Sequence, residues 1–369
     1  MKSETPHFVD HIIIGGGLSG LLIAKGLQQQ GKSFLILEAS DRLGGISIDG
    51  GLRLIYQSQL CSPALRFLNQ VSGLSFSAEV TTDVTTIESK QWIPFVGFGE
   101  EAPPYADLIL PYAKGFLSST LGLETWLKQL AQEMSAVTSF NSKVIKFHES
   151  NNKIEKLELS NNKLYQAQSY FFCLPATEVK KLIPQAKISN KSTLRFLKGP
   201  FWTQIGIELW HESFPSEFPQ NKLFVLNSTL KNESQAGLGI FYEAHGEKRS
   251  QWVTFCNDDS VEDAEGLGKS VQNFKRLIKK FMPATFEGLQ RERLVIAPTT
   301  YKDSDWHLEP NGTYPELENL WVASGIANKQ SGLLGSLLQA QFILAAVQNT
   351  ASASLEPSPS QTSDLAGTQ

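Results

Sequence analysis

Val9-Asp10-His11-Ile12-Ile13-Ile14-Gly15-Gly16-Gly17-Leu18-Ser19-Gly20 is the stretch on which the fold turns. An apolar run gives way to glycines spaced as G-x-G-x-x-G, and the pattern then becomes helical, with Leu21, Leu22, Ala24 and Leu27 on one face of a helix predicted over Leu18–Gln30. Gly31 stands at the expected helix stop, and Ser33–Leu37 forms a second apolar strand that ends on Glu38. Strand, glycine turn, helix and strand make a βαβ unit. In such a unit Gly15 allows the tight turn, Gly17 lets the backbone approach a pyrophosphate, and Gly20 lets helix and strand pack closely. The N–H groups at the helix start, around Leu18 and Ser19, and the positive end of the helix dipole suit phosphate, to which the Ser19 hydroxyl adds. Glu38 lies 18 residues after Gly20, close to the ~20 expected of an acid that bonds ribose hydroxyls. Its charge repels a 2′-phosphate and disfavours NADP. A bound adenine dinucleotide follows.

Working outward, Phe76–Ala113 shows only short β-like runs broken by prolines and reads as irregular. A helix is predicted over Gly122–Met134, and strands over Val144–Phe147, Ile154–Leu159 and Ser169–Leu174. Further strands are expected at Thr203–Trp210, Leu223–Leu226, Gly239–Ala244 and Gln251–Phe255, then a long amphipathic helix near Val261–Phe281. Asn319–Ser324 is a buried-type strand and Gly332–Val347 a buried helix. Asn349–Gln369, rich in Ser, Ala, Thr and Pro, is read as a disordered tail.

The chain has 369 residues, enough for about two domains at about 150 residues each and for a sizeable core. With 41% hydrophobic and 19% charged residues it falls among soluble globular proteins. A formal net charge of −4 gives no electrostatic case for nucleic acid as a partner. No run approaches the ~20 apolar residues of a membrane helix. The amino terminus reads as a first strand and turn rather than a targeting segment. Three widely spaced cysteines, Cys61, Cys173 and Cys256, argue against a disulfide framework and for a reducing compartment, the cytoplasm.

Past Glu38 the sequence continues Ala39-Ser40-Asp41-Arg42-Leu43-Gly44-Gly45, matching E-x-x-x-R-x-G-G. This resembles the FAD-dependent amine oxidase superfamily, which includes monoamine and polyamine oxidases, protoporphyrinogen oxidases and phytoene desaturases. Asn141–Phe147 with the hairpin and strand that follow is similar to the second FAD segment of that family. Glu318–Gly325 and Ser331–Ser336 resemble its terminal flavin motif. The resemblance implies non-covalent FAD, with Ala39, Gly44, Gly45 and Leu333 as further cofactor-binding candidates beside Glu38, Arg42 near the pyrophosphate, Val144 near adenine, Gly325 near the ribityl chain and the Leu334 N–H, at the start of the last helix, near flavin N1 and O2. A helix amino terminus there would stabilise the negative charge of the reduced ring.

The order of these blocks implies an α/β architecture: a doubly wound, Rossmann-like FAD-binding domain with an inserted α+β substrate domain built on a mixed β-sheet. The FAD-binding domain is expected to be discontinuous, from residues 1–75, 136–180 and 291–348, with 76–135 and 181–290 forming the substrate domain and 349–369 the tail. The implied activity is hydride transfer from a small or medium-sized organic substrate to flavin N5, amine-oxidase-like, with oxygen or another acceptor reoxidising the flavin. A protoporphyrinogen-oxidase-like or desaturase-like enzyme acting on a large apolar substrate, or a flavin-binding accessory protein without turnover, is the alternative.

The departures from the family pattern are Ile46, where Arg is common, Ile326, where an acid is common, and Thr203, which falls where many amine oxidases have a lysine. Catalytic residues are not specified, and neither is an oligomeric state. His7 and His11 flank a strand, which removes helical metal-ligand geometry, and no metal is expected. Tyr301, Trp306 and His307 read as loop residues. Trp202, Trp210, Phe241, Tyr242 and Trp252 read as core rather than pocket floor. No nucleophile elbow, zincin motif or P-loop occurs.

Overall fold

In the computed structural model the described residues are 7–45, 55–74, 78–81, 83–88, 91–119, 123–183, 201–215, 220, 222–228, 235–244, 246–257, 259, 261, 263–301, 312–314, 316–323 and 332–353. In chain order they form β1 (His7–Ile14), α1 (Leu18–Gln29), β2 (Phe34–Leu37), β3 (Ile55–Tyr56), α2 (Cys61–Ser72), β4 (Ala78–Thr81), β5 (Val84–Glu88), β6 (Gln91–Pro94), α3 (Ala106–Ile109), β7 (Phe116–Ser119), α4 (Leu123–Met134) and β8 (Thr138–Ser139). They continue as β9 (Val144–Ser150), β10 (Lys153–Leu159), β11 (Leu164–Phe172), α5 (Ala176–Leu182), β12 (Phe201–His211), β13 (Leu223–Ser228), β14 (Gln235–Ala244), β15 (Glu247–Asn257), α6 (Ala264–Phe281), β16 (Leu289–Tyr301), β17 (Thr313–Tyr314), β18 (Leu317–Val322) and α7 (Gly332–Ala353).

One sheet has the order β17-β18-β11-β1-β2-β8, with β10 and β9 added beyond β11. Its middle is parallel: β1 pairs with β2 and β11, and β11 with β18. A strand buried on both faces must be apolar throughout, which is why Ile12, Ile13 and Ile14 run without alternation and are at most 3% exposed. Ile13 faces a core shared with α1, α2, α4 and α7, while Ile12 and Ile14 face the β9–β10 hairpin. On the hairpin side Asn319 of β18 clamps β10, accepting from the Ile154 N–H at 2.8 Å and donating to the Ile154 carbonyl at 2.9 Å.

The second large sheet has the order β16-β12-β15-β14-β13-β5-β6 and is antiparallel except where β5 meets β13. Helix α6 covers one face, burying Phe274, Leu277 and Ile278 against Ile207, Leu209, Phe241 and Trp252. Asp263 caps it by accepting from the Glu265 and Gly266 N–H groups, both at 3.1 Å. Gly239 is required beneath the Trp252 ring, which a Cβ there would strike. The opposite face meets the helix-side core of the first sheet through Leu238, Ile240, Val253 and Phe255. There Tyr105 fastens α3 to the sheet, its hydroxyl accepting from the Ala236 N–H at 2.8 Å. A small third sheet, β3-β7-β4, completes the fold.

Four expectations change. Residues 291–301, assigned by motif order to the dinucleotide-binding part, lie in β16 and pair with β12, so they belong to the seven-stranded sheet. Residues 123–134, assigned to the substrate part, form α4, which buries Trp126, Leu127 and Leu130 in the helix-side core and links to α1 through Lys25–Glu133 at 2.7 Å. The last helix runs to Ala353, past the expected boundary at 348, and 354–369 lie outside the described residues. The stretch read as irregular contains β4, β5 and β6. Their pairing partners are short or distant in sequence, so local alternation is weak.

The five aromatic residues read as core do not share a face. Phe241 and Trp252 are fully buried under α6, whereas Trp202 and Tyr242 are half-buried on the other side, packed against the helix-side core. Trp210 shares that side, with Arg291 stacked on its ring at 3.8 Å.

Candidate functional site

The carboxyl ends of β1, β2 and β11 meet at one edge of the parallel sheet, the place where open α/β sheets form a ligand crevice. Gly15 leaves β1 with φ +98°, and a Cβ on it would press on the Cys173 carbonyl oxygen at the end of β11. A Cβ on Gly20 would collide with the Gly15 carbonyl oxygen, so the third glycine is what lets α1 start so close to β1. Gly17 is different: a Cβ there would meet nothing within 4 Å. As the N-cap of α1 it brings no side-chain acceptor, the first turn has no acid, and the first helical bond is Leu21 N–H to the Gly17 carbonyl at 2.9 Å. The leading N–H groups and the positive end of the dipole therefore face open space, a donor set that suits a pyrophosphate.

Glu38 closes one side. Its Oε2 accepts the Gly16 N–H at 2.7 Å, and its Oε1 accepts the Ser40 N–H at 2.9 Å and the Ser40 hydroxyl at 2.8 Å. The backbone is held as firmly, since Glu38 N–H donates to the Ser139 carbonyl at 3.0 Å and Ser142 N–H to the Glu38 carbonyl at 2.8 Å. Opposite, Arg42–Gly45 folds over the glycine loop. Gly44 N–H donates to the Gly16 carbonyl at 2.7 Å, Leu43 packs on Gly16, and Gly45 at φ +51° would bring a Cβ to 3.3 Å from the Gly17 Cα. The double glycine is thus the form in which this segment can cross the loop without a side chain in between.

The structure brings Gly15, Gly17, Leu18, Ser19, Gly20, Glu38, Ala39, Arg42, Gly44 and Gly45 to this one edge. Leu18 is buried beneath the loop, Ser19 is half-exposed, and Ala39 and Arg42 are exposed. Val144 is buried at the start of β9, opposite Leu159. Leu333 and Leu334 are buried in the first turn of α7 against the helix-side core. Gly325 lies outside the described residues, as do Ile46, Ile326, Trp306 and His307. Tyr301 ends β16, its backbone opposite Phe201, rather than standing in a loop. Thr203 is fully buried opposite Cys256 on the same face of β12 as Ile205 and Ile207, so Trp202 and Gln204 hold the opposite face at this point. Gly16, Ser40, Leu43 and the 138–140 strip are parts of the site to which sequence reading gave no role. Ser40, two residues past the acid, was the one with a legible signal, since a Ser so placed can bond back to its neighbour.

Two titratable groups are buried within β1 and just past the end of β11. Burial pushes the Cys173 thiol far up, which keeps it protonated and unreactive. Burial pushes His11 down and keeps it neutral. Among the described residues no group of three His, Cys, Asp or Glu side chains could hold a metal ion, and no helix is long and apolar enough to cross a membrane.

Comparison with known proteins agrees with this geometry. Residues 13–53 match the family described as NAD(P)-binding Rossmann-like domain. Flavin-containing amine oxidase A from Sus scrofa is 56% identical over 39 residues, 11% of this chain and 7% of that enzyme's length. Among solved structures, an oxidoreductase from Methanosarcina mazei is similar with a TM-score of 0.63 at 13% identity, covering 91% of this chain and 100% of that one. A putrescine oxidase is similar with a TM-score of 0.59 at 12% identity, covering 94% and 100%. PqsL from Pseudomonas aeruginosa, a probable FAD-dependent monooxygenase, gives 0.52 at 13% identity, covering 95% and 88%. The chain has the fold of these solved structures: mixed α/β, with a Rossmann-like dinucleotide-binding unit. The local sequence match and the fold together agree with the resemblance to the flavin amine oxidase superfamily.

Proposed function

We propose that this chain is an FAD-dependent oxidoreductase of the amine-oxidase type that binds the dinucleotide non-covalently. The observation that carries the reading is the uncapped amino terminus of α1 opening beside Gly17, with Glu38 at the end of the neighbouring strand fixed by Gly16 and Ser40. Gly17, Leu18 and Ser19 present backbone N–H groups to the pyrophosphate. Glu38 and Ala39 serve the adenosine ribose; Glu38 has lone pairs left after its three hydrogen bonds. Arg42, Gly44 and Gly45 cover the phosphates, Val144 borders adenine, and Gly325, Leu333 and Leu334 serve the ribityl and ring end. When bound, FAD supplies a two-electron acceptor for hydride from a substrate C–H, with oxygen or another acceptor restoring it. The chain contributes orientation and exclusion of water, which is why no catalytic triad is needed.

The seven-stranded sheet, with residues 289–301 included, forms the substrate side, and a small organic molecule is the substrate. Cys61, Cys173 and Cys256 form no disulfide, in keeping with the cytoplasm. Purified protein is expected to show the visible absorbance of bound flavin, and reduction by a substrate amine under nitrogen followed by admission of air should bleach and restore it. Protein that is colourless, and stays so after incubation with FAD, overturns the reading.

A further inference from the structure

Strand β12 begins where the two large sheets meet. Phe201, its first residue, is buried in the hairpin-side cluster of the first sheet, which Leu174, two residues past the end of β11, also joins. Trp202 takes the opposite face and packs on the helix-side cluster, which holds Cys173 and, from the first turn of α7, Leu333 and Leu334. The Trp202 ring is half-buried and meets Tyr105 edge-on at 5.4 Å. Tyr105 offers it no acceptor, because its hydroxyl is committed to Ala236 and Thr254. The Trp202 Nε1–H is shielded from water and has no hydrogen-bond partner among the described residues. An unpaired buried donor costs stability, so its presence at this junction calls for a reason other than packing.

We propose that Trp202 is a substrate-binding residue, and that the substrate carries an acceptor oxygen, of a carboxylate or a carbonyl, on an apolar body. The role rests on the flavoenzyme reading above, in which the seven-stranded sheet is the substrate side. The donor decides the class. An indole N–H donates and cannot accept. An ammonium therefore gains no hydrogen bond from it, whereas an oxygen acceptor forms one that the low-dielectric surroundings strengthen. The exposed part of the ring offers the apolar body a surface to pack on. The substrate is then an amine that also bears an acceptor oxygen, and an analogue lacking that oxygen is rejected because the indole N–H stays unpaired.

The test is calorimetric titration of the full chain in the presence of FAD, with cinnamate and cinnamamide as probes and cinnamylamine, which lacks the oxygen, as control. Both probes are expected to bind about tenfold or more tightly than the control. Trp202→Phe keeps a ring and removes the N–H, and it is expected to erase that preference while FAD affinity and the binding of cinnamylamine hold. Trp202→His, which keeps a ring N–H, should retain part of the preference. A role in packing alone would move the thermal midpoint of these variants and leave the preference intact. A chain that holds FAD but binds the three compounds alike, binds none of them, or keeps its preference in Trp202→Phe overturns the proposal and leaves the flavin reading standing. A chain that shows the preference without holding FAD overturns the flavin reading instead.

Discussion

The Glu38 carboxylate accepts the Gly16 N–H at 2.7 Å, which joins the end of β2 to the middle of the glycine loop. One acid thereby fixes the loop from within the protein and also faces the crevice. Glu38→Ala leaves the Gly16 and Ser40 N–H groups without this partner, at a cost of about 1–3 kcal/mol, and removes the ribose acceptor. Glu38→Gln keeps one acceptor oxygen and loses the charge. Titration of apoprotein with FAD is expected to show affinity falling in the order Glu, Gln, Ala, with Ala at least tenfold weaker than the parent. If Ala binds FAD as tightly as the parent does, the acid only shapes the loop.

Gly17 and Gly20 separate ligand space from packing space within four residues. Gly17→Ala places its methyl in open space at φ −73°, a conformation alanine adopts freely, so the fold should keep its melting temperature while flavin occupancy drops. Gly20→Ala must push α1 off the Gly15 carbonyl and should lower the melting temperature even of apoprotein. Flavin content and apoprotein melting, measured side by side, check the contrast. Equal behaviour of the two variants would refute it.

Glu208, 1% exposed on β12, accepts from the Tyr242 hydroxyl at 2.8 Å, Arg293 Nε at 3.0 Å and Arg249 Nη1 at 3.5 Å, and Arg249 reaches Glu124 of α4 at 3.8 Å. Four strands and a helix of the other layer thus meet at one buried carboxylate. Glu208→Ala removes the shared acceptor of two guanidinium groups and a phenol, and about 3–5 kcal/mol of stability should go with it. Glu247, which also pairs with Arg249, is half-exposed, and its removal should cost less than about 1 kcal/mol. Denaturant unfolding of the two variants decides; a larger loss at Glu247 would reverse the assignment.

The βαβ unit was legible because every part of its signal is local: apolar run, glycine spacing, helical period and terminal acid all fall within about thirty residues. What was not legible depends on partners far along the chain. Residues 291–301 read as the approach to the last strand, yet their hydrogen bonds go to β12, about ninety positions earlier. The helix at 123–134 was placed in sequence but not in space, since its core face gives no hint that α1 is what it meets. Which face of β12 Thr203 takes was not legible either, because a shift of one residue along a strand exchanges one face for the other. The 138–140 strip acts through backbone bonds that composition does not mark.

His211, the end of β12, gives the fold a pH dependence of defined sign. The Trp252 indole N–H donates to Ser250 Oγ at 2.9 Å, and Ser250 in turn bonds His211 Nε2 at 2.7 Å. With Ser250 donating onward, Nε2 is the acceptor and the ring is neutral. Burial holds the His211 pKa below its ordinary value of 6.5. Above that value both folded and unfolded chains carry a neutral ring and stability is insensitive to it. As pH falls below 6.5 the unfolded chain takes up a proton that the folded chain resists, so stability is lost down to the folded pKa and then levels. His11 is depressed by burial in the same direction and adds to the effect. Unfolding free energy is therefore expected to drop between pH 7 and pH 5, with a shallower slope in His211→Gln, whose amide can still accept from Ser250. An unchanged slope in that variant, measured by urea titration at several pH values, would show that His211 is protonated in the fold and that the hydrogen-bond chain runs the other way.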